Sequence, residues 1–234
     1  MSGVFFAPVE FSANRFQSNH KIVGAFDRAG IPVVLLDRDL EPYPQRSKYD
    51  LVGIDNRRTG FLATEYVIKA GAKRIAFFAR PNSAPTVDAR IAGYREALLS
   101  QGDTPRRDLV TVGDASYAKF IRSVVNKYRP DAFVCANDLT AGNLMHTLIS
   151  LGHRIPEDIS IVGIDDVKYA RLLPVPLTTV HQPCRDIGRM AIAVMLDRIA
   201  NPDLPPRDVL LRCELVVRKS CSASAPNRNG HKRL

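Results

Sequence analysis

No run of apolar residues in this chain approaches the ~18 needed to cross a membrane. The opening Met1-Ser2-Gly3-Val4-Phe5-Phe6-Ala7-Pro8 lacks the basic lead and longer apolar stretch of a secretory signal, so the cytoplasm is the expected location. Cysteine is scarce. Cys135, Cys184, Cys213 and Cys221 form no CxxC pair, which indicates neither zinc nor a redox couple and leaves free thiols as the expectation. His20, His146, His153, His181 and His231 include no i, i+4 pair for a metal. No G-x-G-x-x-G follows a strand, no G-x-x-x-x-G-K-[ST] occurs, and there is no G-x-S-x-G elbow. Dinucleotide binding, P-loop nucleotide hydrolysis and serine hydrolysis therefore have no signal. The reading is of a binding protein without cofactor or enzymatic activity.

The charge that is present is mostly dispersed. A formal net charge of +9 fits association with nucleic acid, yet Arg57-Arg58 and Arg106-Arg107 are isolated pairs that a solvated surface explains. Residues 223–234 carry Arg228, Lys232 and Arg233 among Ser, Asn, Gly and Pro, and read as a disordered tail.

Short β-rich runs alternate with helical patterns through most of the 234 residues. Val4–Ala7, Val33–Leu36, Leu51–Ile54, Ile75–Ala79, Leu109–Val112, Ala132–Ala136 and Ile159–Ile164 have strand length, and Leu177–Val180 and Val209–Val217 follow. Between them, Ile22, Phe26 and Ala29 line one helical face, and Phe61, Leu62, Val67 and Ile68 another before Gly71. Further helices are expected near Ala89–Gln101 (ended by Gly102), around Phe120–Tyr128 before Pro130, over Leu139–Leu151 before Gly152, and near Pro183–Ala200. In the last of these, Ile187, Ala191, Val194 and Ile199 form the inner side. Strands joined by crossover helices imply an α/β protein with parallel, doubly wound sheets.

In such sheets the ligand crevice lies beyond the carboxyl ends of the strands. Polar residues occupy those positions here: Asp55 after the third strand, Arg90 across a proline loop after the fourth, Asn137 and Asp138 after Ala132–Ala136, Asp165 after Ile159–Ile164, and Gln182 after Leu177–Val180. Carboxylates, amides and a guanidinium together suit sugar hydroxyls or the edge of a base. Structural roles compete. Asp55 can cap the following helix, Asp138 is placed to cap the helix from Leu139, Asn137 can satisfy a turn, and Gln182 can serve a hinge. Asp165 is the strongest expectation for direct ligand contact, with Asp166 left to structure.

The ordered series Ala136-Asn137-Asp138, Gly152-His153-x-Ile155-Pro156-x-Asp158-Ile159-Ser160-Ile161-Val162-Gly163-Ile164-Asp165-Asp166 and Pro176-Leu177-Thr178-Thr179-Val180-x-Gln182-Pro183 resembles the effector-binding core of the lactose-repressor (LacI/GalR) family. Ile31–Asp37, Asp55-Asn56-Arg57 with Gly60, and Arg90-x-Ala92-Gly93-Tyr94 match as well, so the resemblance runs from about Gly3 to Ser220. It implies a two-lobed periplasmic-binding-protein-like fold with a small effector, a sugar or a purine, in the cleft. The effector contacts it carries over are Asp55, Arg90, Asn137, Asp165 and Gln182. The lobes it implies are 1–68 with 181–208, and 69–180 with 209–222. It further implies a homodimeric transcriptional repressor that reaches operator DNA through an N-terminal helix-turn-helix head. A sugar solute-binding protein shares the fold and is the alternative; a secretory signal would favour it.

Two departures from the family pattern stand out. An aromatic ring that often follows a Gly-Asp pair is replaced by Ala115 after Gly113-Asp114. The match also begins partway through the first lobe, so the DNA-binding head, the hinge and two βα units are expected to lack a counterpart here. The first lobe should then be incomplete, with apolar surface exposed near Val4–Ala7.

Overall fold

The computed structural model describes residues 2–10, 14–100 and 109–221. The expected helix stop at Gly102, the Arg106-Arg107 pair and the tail 223–234 lie outside those residues.

Ten strands and six α-helices alternate among the described residues. The strands are β1 (Val4–Phe6), β2 (Val33–Leu36), β3 (Asp50–Ile54), β4 (Ile75–Ala79), β5 (Val110–Val112), β6 (Ala132–Cys135), β7 (Ser160–Asp165), β8 (Thr178–His181), β9 (Asp208–Leu211) and β10 (Glu214–Val216). The helices are α1 (Arg15–Arg28), α2 (Asn56–Lys69), α3 (Pro85–Ser100), α4 (Ala118–Tyr128), α5 (Asp138–Ser150) and α6 (Cys184–Ala200). Gly71 and Gly152 stop α2 and α5 with φ of 97° and 90°, a conformation that costs glycine no Cβ clash.

Two sheets result. The first has the order β1-β2-β3-β9 and every pair in it is parallel. The second has the order β10-β8-β7-β6-β4-β5, parallel except where β10 runs antiparallel to β8. Its order reverses between β4 and β6, which makes the carboxyl ends of those strands the point where a crevice opens. Residues 75–79 and 132–135 are wholly buried, as their unbroken apolar runs require of strands covered on both faces. One apolar core joins the two sheets, running from Val34, Val52 and Ile54 through Val67 and Phe77 to Ile164, Val180 and Val194.

Several elements differ from their sequence reading. The strand expected over Val209–Val217 is two strands in different sheets: β9 lies beside β3, and β10 beside β8. Arg212 and Cys213 carry the chain from one sheet to the other, with Cys213 buried, and an unbroken apolar alternation gave no hint of the break. Helix α2, read as part of the first lobe to residue 68, packs against α3 and on β6, β7 and β8, so it sides with the second sheet. Val67 is buried and Ile68 packs partly buried against the core, as expected, but Phe61 and Leu62 give way to Thr59, Gly60, Ala63 and Thr64 on the buried face. Small residues there let α3 come close. On α6, Met195 is buried, whereas Ile199 points outward.

Strand β1 is the edge of the first sheet and its partner is β2. Phe5 pairs in register with Val34 and so points to the α6 side, where it is 43% exposed. Ile192, Leu196 and Ile199 of α6 are exposed on the same layer. Apolar surface near Val4–Ala7 was the expectation, and this is where it lies.

Candidate functional site

Every strand of the parallel pairs delivers its carboxyl end to one side, and the polar residues after β2, β3, β4, β6, β7 and β8 gather there. Arg90 organises the group. It is buried on α3, where Nε donates to Asn56 Oδ1 at 2.8 Å and Nη1 to the carbonyl of Ala136 at 2.5 Å. Nη2 reaches Asp165 Oδ1 at 3.5 Å. The guanidinium thus ties α2, the end of β6 and the end of β7 together. Two glycines permit it: a Cβ on Gly60 would sit 2.0 Å from the Arg90 carbonyl oxygen, and one on Gly93 1.8 Å from that of Arg57. The helices cross at backbone contact, and that crossing aims Arg90.

Asp165 closes β7 with φ of 121°, a value L-residues rarely adopt, followed by Asp166 at 56°. Strain of this kind persists where surrounding structure holds it, and it concentrates at binding sites. Burial pushes the Asp165 carboxyl up to about 6; Arg90 counteracts this, while Asp37 and Glu10 add to it. Asp166 holds structure instead, accepting from Arg218 Nη2 at 2.6 Å and meeting His181 Nδ1 at 3.0 Å. Gln182 donates from Nε2 to Asp37 Oδ1 at 3.0 Å, joining the segment after β8 to the end of β2.

Asp55 and Asn137 are helix caps. Asp55 accepts from the Arg58 N–H at 2.9 Å and opens α2; Asn137 accepts from the Thr140 N–H at 2.9 Å and opens α5. Both stay half-buried, each with one cap bond on one oxygen. The cap of α5 was expected at Asp138, and that assignment is corrected. Asp138 lies within the first turn, fully buried, accepting from Thr179 Oγ1 at 2.5 Å and the Val167 N–H at 3.0 Å. Burial pushes its carboxyl up to about 7 despite those donors. It locks α5 to β8 and to the turn after β7, and Gly163 leaves room for it, since a Cβ there would meet Asp138 Oδ1 at 2.2 Å.

The structure therefore brings Arg90, Asn56 and Asp165 into direct contact and joins Gln182 to them through its backbone N–H on the Asp165 carbonyl at 3.3 Å. Asp55 and Asn137 stand at neighbouring strand ends, each engaged in its helix cap. Three residues were missed: Asp37, Arg38 and Glu10. Asp37, with φ of 68°, accepts from Arg38 Nη2 at 2.7 Å, and Arg38 Nη1 donates to Glu10 at 3.0 Å. Asp37 directly follows the apolar run Val33–Leu36, so the strand-end rule applied to the other strands would have found it. Ala115, standing where a ring was looked for, is buried and its carbonyl accepts from Thr147. No group of His, Cys, Asp and Glu among the described residues could hold a metal ion. No helix among them is long and apolar enough to cross a membrane.

Residues 64–221 match the family model of a periplasmic binding protein-like domain. The chain is 34% identical over 196 residues to the HTH-type transcriptional repressor PurR of Vibrio atlanticus, covering 82% of this chain and 58% of that protein. It is 35% identical over 198 residues to the HTH-type transcriptional regulator CelR of Thermobifida fusca, covering 83% and 58%. The chain thus spans 58% of the length of each of these curated relatives. Among solved structures, a CelR–cellobiose complex superposes with a TM-score of 0.78 at 32% identity, covering 94% of this chain and 66% of that one. A transcriptional regulator of the LacI family from Sanguibacter keddieii superposes with a TM-score of 0.70 at 32% identity, covering 81% and 71%.

Proposed function

This chain belongs to the LacI family of transcriptional regulators, as its effector-binding domain, and from that premise we propose that it senses a small sugar-like or purine-like molecule and passes the signal to operator DNA. The observation that carries the reading is the buried Arg90, which presents Asp165 at a switch point between sheet ends. The relatives are named regulators, one the repressor PurR and another, CelR, solved with cellobiose, which supports a regulator over a solute-binding protein.

Effector would sit between the ends of β2 and β3 on one side and of β4, β6 and β7 on the other. Asp165 and Asp37 supply acceptors for hydroxyl or ring N–H donors. Asp55 offers the carboxylate oxygen left over from capping, Asn137 donates from its free Nδ2 amide, and Gln182 adjusts with the hinge. Shifting an open–closed equilibrium from 1:99 to 99:1 takes about 5.5 kcal/mol of differential affinity. Two or three charge-assisted hydrogen bonds at ~1.5–3 kcal/mol each would supply it if formed in one state only. DNA contact would come through a helix-turn-helix head joined to this body, in the cytoplasm. Self-pairing as a homodimer would use the outer face of α5 and the 3-10 turn after β7, where Leu139, Ile149, Tyr169 and Leu172 are exposed.

Calorimetric titration of the 1–234 chain against sugars, cellobiose among them, and purines tests this. One class should bind, and Asp165→Ala and Arg90→Ala should each abolish the heat. Unchanged affinity in both variants would sink the assignment of the site.

A further inference from the structure

Two residues of the first lobe, Arg15 and Glu10, reach across the mouth of the cleft to one loop of the second. Arg15, at the start of α1, donates from Nη1 to the carbonyls of Asn82 and Ser83, the latter at 2.9 Å. The same nitrogen reaches the Glu10 carbonyl at 3.3 Å. Glu10 Oε1 accepts from the Ala84 N–H at 3.3 Å, and its other oxygen is held by Arg38 at 3.0 Å. Residues 82–84 follow β4 and lead into α3, so these bonds join the two sheets at the rim.

We infer that Arg15 and Glu10 form a latch that holds the lobes closed before effector arrives and thereby sets effector affinity. The strap carrying Glu10 is not free to swing. Buried Asn19 clamps it, accepting from the Val9 N–H at 2.8 Å and donating to the Val9 carbonyl at 3.2 Å. A lobe movement must therefore break the bonds to 82–84 rather than drag the strap along. Behind the latch lies a hollow of about 170 Å³, lined in part by Phe16, Arg38 and Ala84. Gln182 to Asp37 is a further cross-link, beside the segment that crosses between the sheets.

The hydrogen bonds across the rim are a matter of geometry; only their consequence for affinity rests on the function proposed above. If effector binds the closed form, apparent affinity scales with the closed fraction. A latch that shifts that fraction from nearly all to a tenth changes Kd about tenfold.

Spin labels at Lys21→Cys and Lys119→Cys, in a Cys184→Ser background, report the distance between α1 and α4 in effector-free protein. Arg15→Ala and Glu10→Ala should each add a longer-distance population, with Arg15→Lys intermediate because an ammonium does not span two carbonyls as a guanidinium does. Both alanine variants should weaken effector binding about tenfold. Glu10→Ala keeps the test available if Arg15→Ala does not fold. An unchanged distance distribution in a folded alanine variant overturns the latch. Longer distances, with no sugar or purine bound by any version, would leave the latch standing and remove the functional reading instead.

Discussion

Asp138 shows how one carboxyl can serve structure at a ligand-facing strand end. Its folded pKa lies above its ordinary value, 3.8 rising to about 7, so the native state binds this proton more tightly than the unfolded chain does. The stability it contributes is complete below 3.8 and disappears as pH rises through about 7. Other acids push in the opposite direction; the burial of Asp50 is outweighed by Arg198 and Arg207, which hold its carboxyl below the usual range. The difference from a variant isolates the effect. Between pH 5 and pH 8 the melting temperature of the parent should fall relative to that of Asp138→Asn, which carries no titrating group there. Parallel melting curves for the two proteins across that range would refute it. Residues like this one were only half legible: the strand end announced a polar group, but which of Asn137 and Asp138 caps and which is buried depends on Thr179, which lies 41 positions away.

The crossing of α2 and α3 is the element on which the site depends. Gly93→Ala sets a methyl against the Arg57 carbonyl with no flexible side chain to yield, and should destabilise by roughly 1–3 kcal/mol or more. Gly188→Ala, mid-helix in α6 with open space around it, should instead be neutral or stabilise by roughly 0.5–1 kcal/mol. Urea unfolding of the two variants checks both signs at once. Strands and helices were largely readable, because apolar runs and glycine stops report local geometry. Helix faces were not. Periodicity nominated Phe61 and Leu62 of α2, yet Gly60 and Ala63 face inward, since the demand comes from a second helix that hydropathy does not register. The same limit hid the division of β9 from β10, where both strands are apolar and only sheet membership changes.

At the scale of the molecule, β1 stands at an edge of the first sheet among the described residues. Phe5 on β1 and Leu196 on α6, the latter 62% exposed, lie on one side of it. A solvent-facing β-edge flanked by large aliphatics favours association and dye uptake. The 1–234 chain should enhance the fluorescence of an apolar dye in its native state, and Phe5→Lys with Leu196→Lys should remove most of that signal. A parent protein that leaves the dye dark would show that this surface is closed in solution.

The chain passes between the sheets after β3, after β8 and again between β9 and β10. This threading dictates an order of events during synthesis. Translation delivers α2 through β8, nearly all of the second lobe, as one uninterrupted stretch, whereas β9 emerges more than 150 residues after its neighbour β3. On the ribosome, then, the Arg90 cluster can assemble while the β1-β2-β3 layer still waits for its fourth strand.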